Sequence, residues 1–189
     1  MRISGGLAKG IPLRITKTDI LRPATESNRE RIFSSLGELI IGKKVLDLFA
    51  GSGSYGLEAL SRGASEVHFV EKNRKIFQDL KFNFEKVRKS GSLTTQKATF
   101  SNCDVLNFLK REEKNYDLVF LDPPYSEIPT LAKKTFDLLT TNQFVHRDSI
   151  LIHEAPPDEK LIFDHWKMVR TLGKKKKGAP SYQLYMPEL

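Results

Sequence analysis

The chain has 189 residues, 31 Lys and Arg against 23 Asp and Glu, a formal net charge of +8 and a single cysteine. That length suits one domain with a small extension, able to bury roughly 70% of the surface an unfolded chain exposes, and it excludes several large domains. One cysteine excludes an internal disulfide, no Cys/His spacing fits zinc, no stretch approaches the roughly 18 apolar residues of a membrane span, and MRISGGLAKG lacks a leader's apolar run. The expectation is a cytosolic monomer without metal. Its positive excess favours a polyanionic partner such as nucleic acid.

Gly5, Gly6 and Gly10 punctuate short β-like runs at residues 2–4 and 13–16, which predicts a small hairpin. Up to residue 25 this segment carries Arg2, Lys9, Arg14, Lys17 and Arg22 against Asp19 alone. Ser27-Asn28-Arg29-Glu30 then fits a capping box, predicting a helix through Leu36. Residues 1–43 read as an N-terminal hairpin and helix extension, and residues 44–189 as the main domain.

From Lys44 the pattern alternates. The run Val45-Leu46-Asp47-Leu48-Phe49 predicts a buried parallel strand, 58–62 lies in a short helix, and 67–71 is a second strand. Ile76, Leu80, Phe84 and Val87 form a helical stripe, 94–100 reads as a strand, 105–109 as a short helix and 118–122 as another buried strand. Ile128, Leu131, Leu138 and Leu139 mark the next helix, and 149–154 a fifth strand. Strands alternating with helices predict an α/β fold with a doubly wound, mostly parallel sheet and right-handed crossovers. Residues 163–172 and 182–186 read as a terminal antiparallel pair. Phe49, Phe69 and Phe120 read as core, and the four histidines, His68, His146, His153 and His165, are not spaced as a metal set.

After the first strand, Gly51-Ser52-Gly53-Ser54-Tyr55-Gly56 matches G-x-G-x-x-G and opens a helix, with Glu71 placed 20 positions after Gly51 at the end of the next strand. Glycines let backbone approach a ligand, and a carboxylate at that strand end can take both hydroxyls of a ribose. The alternative is a tight strand-to-helix turn with a surface glutamate. The loop fits an adenosine-containing cofactor, dinucleotide or S-adenosylmethionine. Asp47 would repel a pyrophosphate and suit a methionine ammonium; it could equally cap the glycine loop by accepting backbone N–H bonds. Asp104 either accepts from an adenine amino group or N-caps the helix that follows. Cys103 reads as a packing residue.

Asp122-Pro123-Pro124-Tyr125 ends the fourth strand. Two prolines make a rigid corner whose carbonyls face outward, so Asp122 and the Pro123 carbonyl form an acceptor array suited to an NH₂ group. Tyr125 can stack on a planar base. The alternative is a proline-stopped strand with an exposed tyrosine, but the neighbouring first and fourth strands put Asp122 and the glycine loop in one crevice.

The MRISGG start, Arg22-Pro23-Ala24-Thr25, VLDLFAGSGSYGLEALSRGA, FVEKN and LVFLDPPY, in this order, resemble the bacterial 16S ribosomal RNA guanine-N2 methyltransferases of the RsmD type. The likeness covers most of the chain and departs at Lys177-Gly178, where that pattern has a Tyr-Gly pair. It implies a Rossmann-like class I methyltransferase fold, S-adenosyl-L-methionine as donor, and a guanine of ribosomal RNA or the small subunit as acceptor. It further implies cofactor contacts at Asp47, Phe49, Ala50, Gly51, Ser52, Gly53, Glu71, Lys72, Asp104 and Val105, with Arg22 and Thr25 closing over the cofactor. Asp122, Pro123 and Tyr125 are then the catalytic set.

A chain this short leaves no room for a DNA-reading domain, so structured RNA fits better. Arg2, Lys9, Arg14, Lys17, Arg29 and Arg31 are candidate phosphate contacts, as is the run 174–177; solvated charge is the alternative for each. Adenine N6 or cytosine N4 methylation, a dehydrogenase using the same loop, and a non-catalytic RNA-binding factor are the competing functions.

Overall fold

The computed structural model describes residues 1–15, 26–111, 115–123, 128–155, 162–172 and 181–189, the side chains of 128 and 129 excepted. The elements are α1 (Glu26–Leu36), a 3₁₀ turn (Gly37–Ile40), β1 (Lys44–Leu48), α2 (Ser54–Ser61), β2 (Glu66–Val70), α3 (Arg74–Ser90) and β3 (Lys97–Ser101). They continue as α4 (Val105–Leu109), β4 (Tyr116–Leu121), α5 (Ile128–Thr141), β5 (Val145–Ala155), β6 (Trp166–Leu172) and β7 (Ser181–Pro187).

The strands form one sheet in the order β3-β2-β1-β4-β5-β7-β6. β1 pairs in parallel with β2 and β4, and β4 with β5. The terminal pair is antiparallel as expected, with β7 slipped between β5 and β6 and antiparallel to both. The chain winds outward from β1 to β3 and returns to β4, so the sheet reverses direction between β1 and β4. At such a switch point the loops after adjacent strands diverge and leave a crevice.

Every residue of β1 after Lys44 is buried, because helices cover both faces. Side chains along a strand alternate between faces, and the core divides accordingly. Val45, Val67, Phe69 and Phe120 pack with α1, α2 and α3; Leu46, Leu48, Val119 and Leu121 pack with α4 and α5. Ile3, Ala8 and Leu13 of the N-terminal segment belong to the first of these clusters.

Several boundaries differ from expectation. The hairpin reduces to one bridge, Arg2 with Pro12, supported by Ile3 N–H to Ile11 C=O (3.0 Å) and Gly10 N–H to Ile3 C=O (2.8 Å). Its tip is fastened to α2 instead, where Ala8 N–H donates to Ser61 Oγ at 2.9 Å. Ser27 is itself helical, within α1 (Glu26–Leu36), rather than at a cap. β5 is longer than the apolar run suggests, because a register shift opposite Tyr116 to Leu118 lets His146, Arg147 and Asp148 join the strand. His146 therefore joins His153 within the strand.

Candidate active site

The glycine loop is shaped by two carboxylates. Asp47, almost wholly buried in β1, reaches forward to accept the Gly56 N–H at 2.9 Å. Glu71, just past β2, accepts from Gly51 N–H at 3.0 Å through one oxygen and from Asn73 N–H at 2.7 Å through the other. The backbone must turn sharply here. Phe49 has φ 59° and Gly53 φ 83°, and a left-handed phenylalanine is an outlier of the kind that clusters at functional sites. A Cβ on Gly53 would lie 2.3 Å from Leu80 Cδ1, and one on Gly56 2.3 Å from the Phe69 ring. The last glycine of the motif therefore lets α2 sit directly on β2.

Of the two readings of Asp47, the loop-capping bond is present. Burial pushes its pKa up to about 8, the Gly56 N–H partly offsets this, and the nearby Glu71 charge adds to it. A cation beside Asp47 would relieve that cost. Asp104 is the N-cap of α4, accepting from Leu106 N–H at 2.9 Å and Asn107 N–H at 3.3 Å. Val105 opens α4 and is buried, Ala50 and Ser52 are buried in the loop, and Lys72 is exposed. Asn102 Nδ2 donates to the Glu71 carbonyl at 2.8 Å and the Lys72 carbonyl at 3.1 Å, tying the end of β3 to the loop after β2.

Across the switch point, Asp122 follows β4 with Pro123 buried behind it. Asp122 lines a small pocket with Tyr55, Phe120, Leu121, Ile152, Glu154 and Tyr182. Burial first, then the charges of Glu154 and Asp47, raise its pKa well above the ordinary carboxylate value. Tyr55 stacks on Phe120, ring centroids 5.0 Å apart. Glu154 Oε2 accepts from the Tyr182 hydroxyl at 2.9 Å and the Tyr55 hydroxyl at 3.3 Å, so α2, β5 and β7 meet beside Asp122. Behind Leu121, His153 Nδ1 lies 3.2 Å from the Leu121 carbonyl, and burial holds its pKa down to about 4.

Sequence reasoning missed Glu154, Tyr182, Asn102 and Asn83. Asn83, fully buried on α3, accepts from Arg14 N–H at 2.7 Å and donates to the carbonyls of Arg14 (2.8 Å) and Ser52 (3.0 Å), linking the N-terminal segment to the glycine loop. Only Tyr55, within the glycine motif, carried a local signal.

Tyr125, Arg22, Thr25, Lys17 and the run 174–177 lie outside the described residues. Arg2 and Lys9 are exposed, Arg31 is half-buried, and Arg14 is 61% exposed although it pairs with Asp79 at 3.0 Å. Arg29 is a correction. It is fully buried, with Nε 3.2 Å from Glu58 Oε2 and Nη2 donating to the Arg2 carbonyl, so it is an internal strut and not a phosphate contact. Among the described residues no helix is long and apolar enough to cross a membrane, and no group of three or more His, Cys, Asp or Glu side chains could hold a metal.

The wound sheet, with a nucleotide-type loop after β1 and an acidic corner after β4, is the Rossmann-like fold of the class I methyltransferases, which the solved structures it resembles share. Within that class, the chain belongs to the family described as Conserved hypothetical protein 95, whose model matches residues 1–186, the RsmD family. It is 34% identical over 188 residues to "Ribosomal RNA small subunit methyltransferase D" of Haemophilus influenzae, a match covering 98% of this chain and 93% of that protein. The protein of the same name from Escherichia coli is 31% identical over 100% of this chain and 90% of its own. The solved Escherichia coli yhhF structure superposes with a TM-score of 0.84 at 29% identity, covering 100% of this chain and 98% of that one.

Proposed function

We propose that this chain transfers a methyl group from S-adenosylmethionine to the exocyclic N2 amine of a guanine in small-subunit (16S) ribosomal RNA. The observation that carries this reading is the placement of Asp122 and Pro123 at the switch point, beside the carboxylate-bracketed glycine loop. Relatives 34% and 31% identical across nearly the whole chain bear the name of a small-subunit ribosomal RNA methyltransferase, which supports the RNA substrate.

S-adenosylmethionine, when bound, supplies an electrophilic methyl on a positively charged sulfur. The residues of this site fit such a ligand: the buried Asp47 is short of a cation, which the methionine ammonium provides, and Glu71 retains acceptor capacity for ribose hydroxyls. Phe49, Ala50, Gly51, Ser52 and Gly53 would hold the ligand from the loop, Lys72, Asp104 and Val105 would contribute further contacts, and the family resemblance would add Arg22 and Thr25.

An aryl amine is a poor nucleophile because its lone pair is delocalised into the ring. The Asp122 carboxylate and the Pro123 carbonyl accept its two N–H bonds, draw the nitrogen toward tetrahedral geometry, and stabilise the positive charge that develops there. Holding the reacting atoms about 3–3.5 Å apart and in line supplies much of the remaining acceleration. Tyr125 stacks on the base, which is extruded from its helix. Arg2, Lys9, Arg14, Lys17 and Arg31 meet phosphates.

Mass mapping of small-subunit RNA after incubation with the protein and S-adenosylmethionine tests this directly. N2-methylguanine is the expected product; methylated adenine or cytosine, or no product, overturns the assignment. Asp122→Ala is expected to keep S-adenosylhomocysteine binding and to lose about 10²-fold or more in kcat. A near wild-type rate would remove Asp122 from the mechanism.

A further inference from the structure

Helix α3 carries a second basic surface that the site does not use. Its inner positions Ile76, Leu80, Asn83 and Val87 are buried. On the opposite side, Arg74, Lys81 and Arg88 form one seven-residue series and Lys75, Phe82 and Lys89 another, all exposed. Residues seven apart lie two turns apart on one face, so these six make a single stripe about 22 Å long. Glu85, the exposed acid on this helix, pairs with Arg88 at 2.8 Å, which leaves the stripe strongly positive.

The stripe joins the N-terminal segment along a seam. Arg14 lays its guanidinium 5.3 Å over the ring of Phe82, which is itself 51% exposed, while Arg14 keeps its backbone on Asn83. Lys86 Nζ donates to the Pro12 carbonyl at 3.0 Å. Lys81 stands over Phe77 and Phe100, 5.1 and 5.8 Å from their centroids, so its ammonium is held at a fixed place rather than swept through solvent. Fixed cations interleaved with an open aromatic ring match a nucleic-acid strand, whose phosphates need charge and whose bases need a stacking surface. An anionic membrane is a poorer match, because the apolar side of α3 packs on the sheet and the outer face keeps only Phe82 as a large exposed apolar side chain to insert.

We propose that the outer face of α3, continuous with Arg14 and Lys9, docks the backbone of the substrate RNA away from the methylated nucleotide. This rests on the RNA reading above. It extends the docking surface beyond the N-terminal arm and gives Phe82 a role as a stacking platform.

The test is filter binding of a small-subunit ribosomal RNA transcript across a salt series, using the full chain, the triple variant Lys75→Ala/Lys81→Ala/Lys89→Ala, and Phe82→Ala. The triple variant is expected to bind at least about tenfold more weakly near physiological salt, with a slope of log K against log salt shallower by about 2 to 3. Phe82→Ala is expected to lose about fivefold or more in affinity with the slope unchanged. Both variants should keep the parental thermal shift with S-adenosylhomocysteine, which separates docking from folding and from the cofactor site. Parental affinity and slope in the triple variant would overturn the proposal, as would a defect seen only with anionic phosphatidylserine vesicles. If the parent chain itself binds no RNA, the functional reading fails first and takes this surface with it.

Discussion

The Arg29 guanidinium meets the Glu58 carboxylate at 3.2 Å with both side chains fully shielded from water. Glu58 also accepts from Arg62 Nε at 2.8 Å, Ser4 N–H at 2.8 Å and Ser4 Oγ at 2.7 Å, so one carboxylate gathers α1, α2 and the N-terminal segment. Removing one member of a buried pair leaves the other charge short of compensation, at about 3–5 kcal/mol. Arg29→Met is expected to lower the free energy of urea unfolding by about 3 kcal/mol. A change below about 1 kcal/mol would mean that Arg62 alone satisfies Glu58.

Asn83 predicts a local loosening rather than a global one. Its amide makes three bonds to the backbones of Arg14 and Ser52 from a fully buried position. Asn83→Ala leaves those groups unpaired, at about 1–3 kcal/mol. The amide hydrogen of Arg14 should exchange with solvent much faster than in the parent, and S-adenosylhomocysteine affinity should fall because the Ser52 carbonyl loses its tether. Unchanged exchange at Arg14 would count against the link.

Asp47 predicts how stability responds to pH. An unfolded aspartate ionises near 3.8, and the folded Asp47 only near 8. Between those values the native state holds a proton that the unfolded chain has released, so this contribution is full below about pH 4 and is lost as pH rises through 8. His153 acts in the opposite sense at lower pH: held neutral down to about 4 against an ordinary 6.5, it destabilises the fold as pH falls through that window. The range 6.5 to 8 therefore isolates the carboxylates. Asp47→Asn is expected to gain at least about 1 kcal/mol on the parent between pH 6.5 and 8, while losing stabilisation by S-adenosylhomocysteine. Parallel melting curves for the two proteins across that range would refute it.

Glu154 sets the charge around Asp122. Its negative charge is the second cause, after burial, of the raised Asp122 pKa. Glu154→Gln removes it, so the acid limb of the pH profile of kcat/KM is expected to move to lower pH. A limb that stays in place would show that Asp122 does not govern it.

The sequence made legible what is local. The Val45 to Leu48 run needs no partner to be recognised as a doubly covered strand, and the glycine loop, its strand and its helix form one continuous stretch from Lys44 to Ser61. Less visible was anything settled by distant pairing. The Leu151 to Tyr185 and Met168 to Tyr185 pairs that place β7 between β5 and β6 have no local signature. Tyr55 finds Glu154 at a separation of 99 residues. Arg29 looks like a surface cation on a polar helix until α2 brings Glu58 against it. Asp104 illustrates a different limit: its two roles share one residue type in one place, and the N-cap bonds identify only one of them.

The fastening of the N-terminal segment bears on how the molecule is made. Ala8 waits for Ser61, 53 residues on, and Arg14 waits for Asn83, 69 residues on. A ribosome releases these residues well before their anchors, and contacts of such separation close late. The arm therefore leaves the exit tunnel as an untethered cationic strand, and it takes up its place only when α2 and α3 have formed around the glycine loop. The segment that precedes α1 thus settles only after the helices that anchor it, and it cannot be fully ordered before the helices beside the chemical centre are complete.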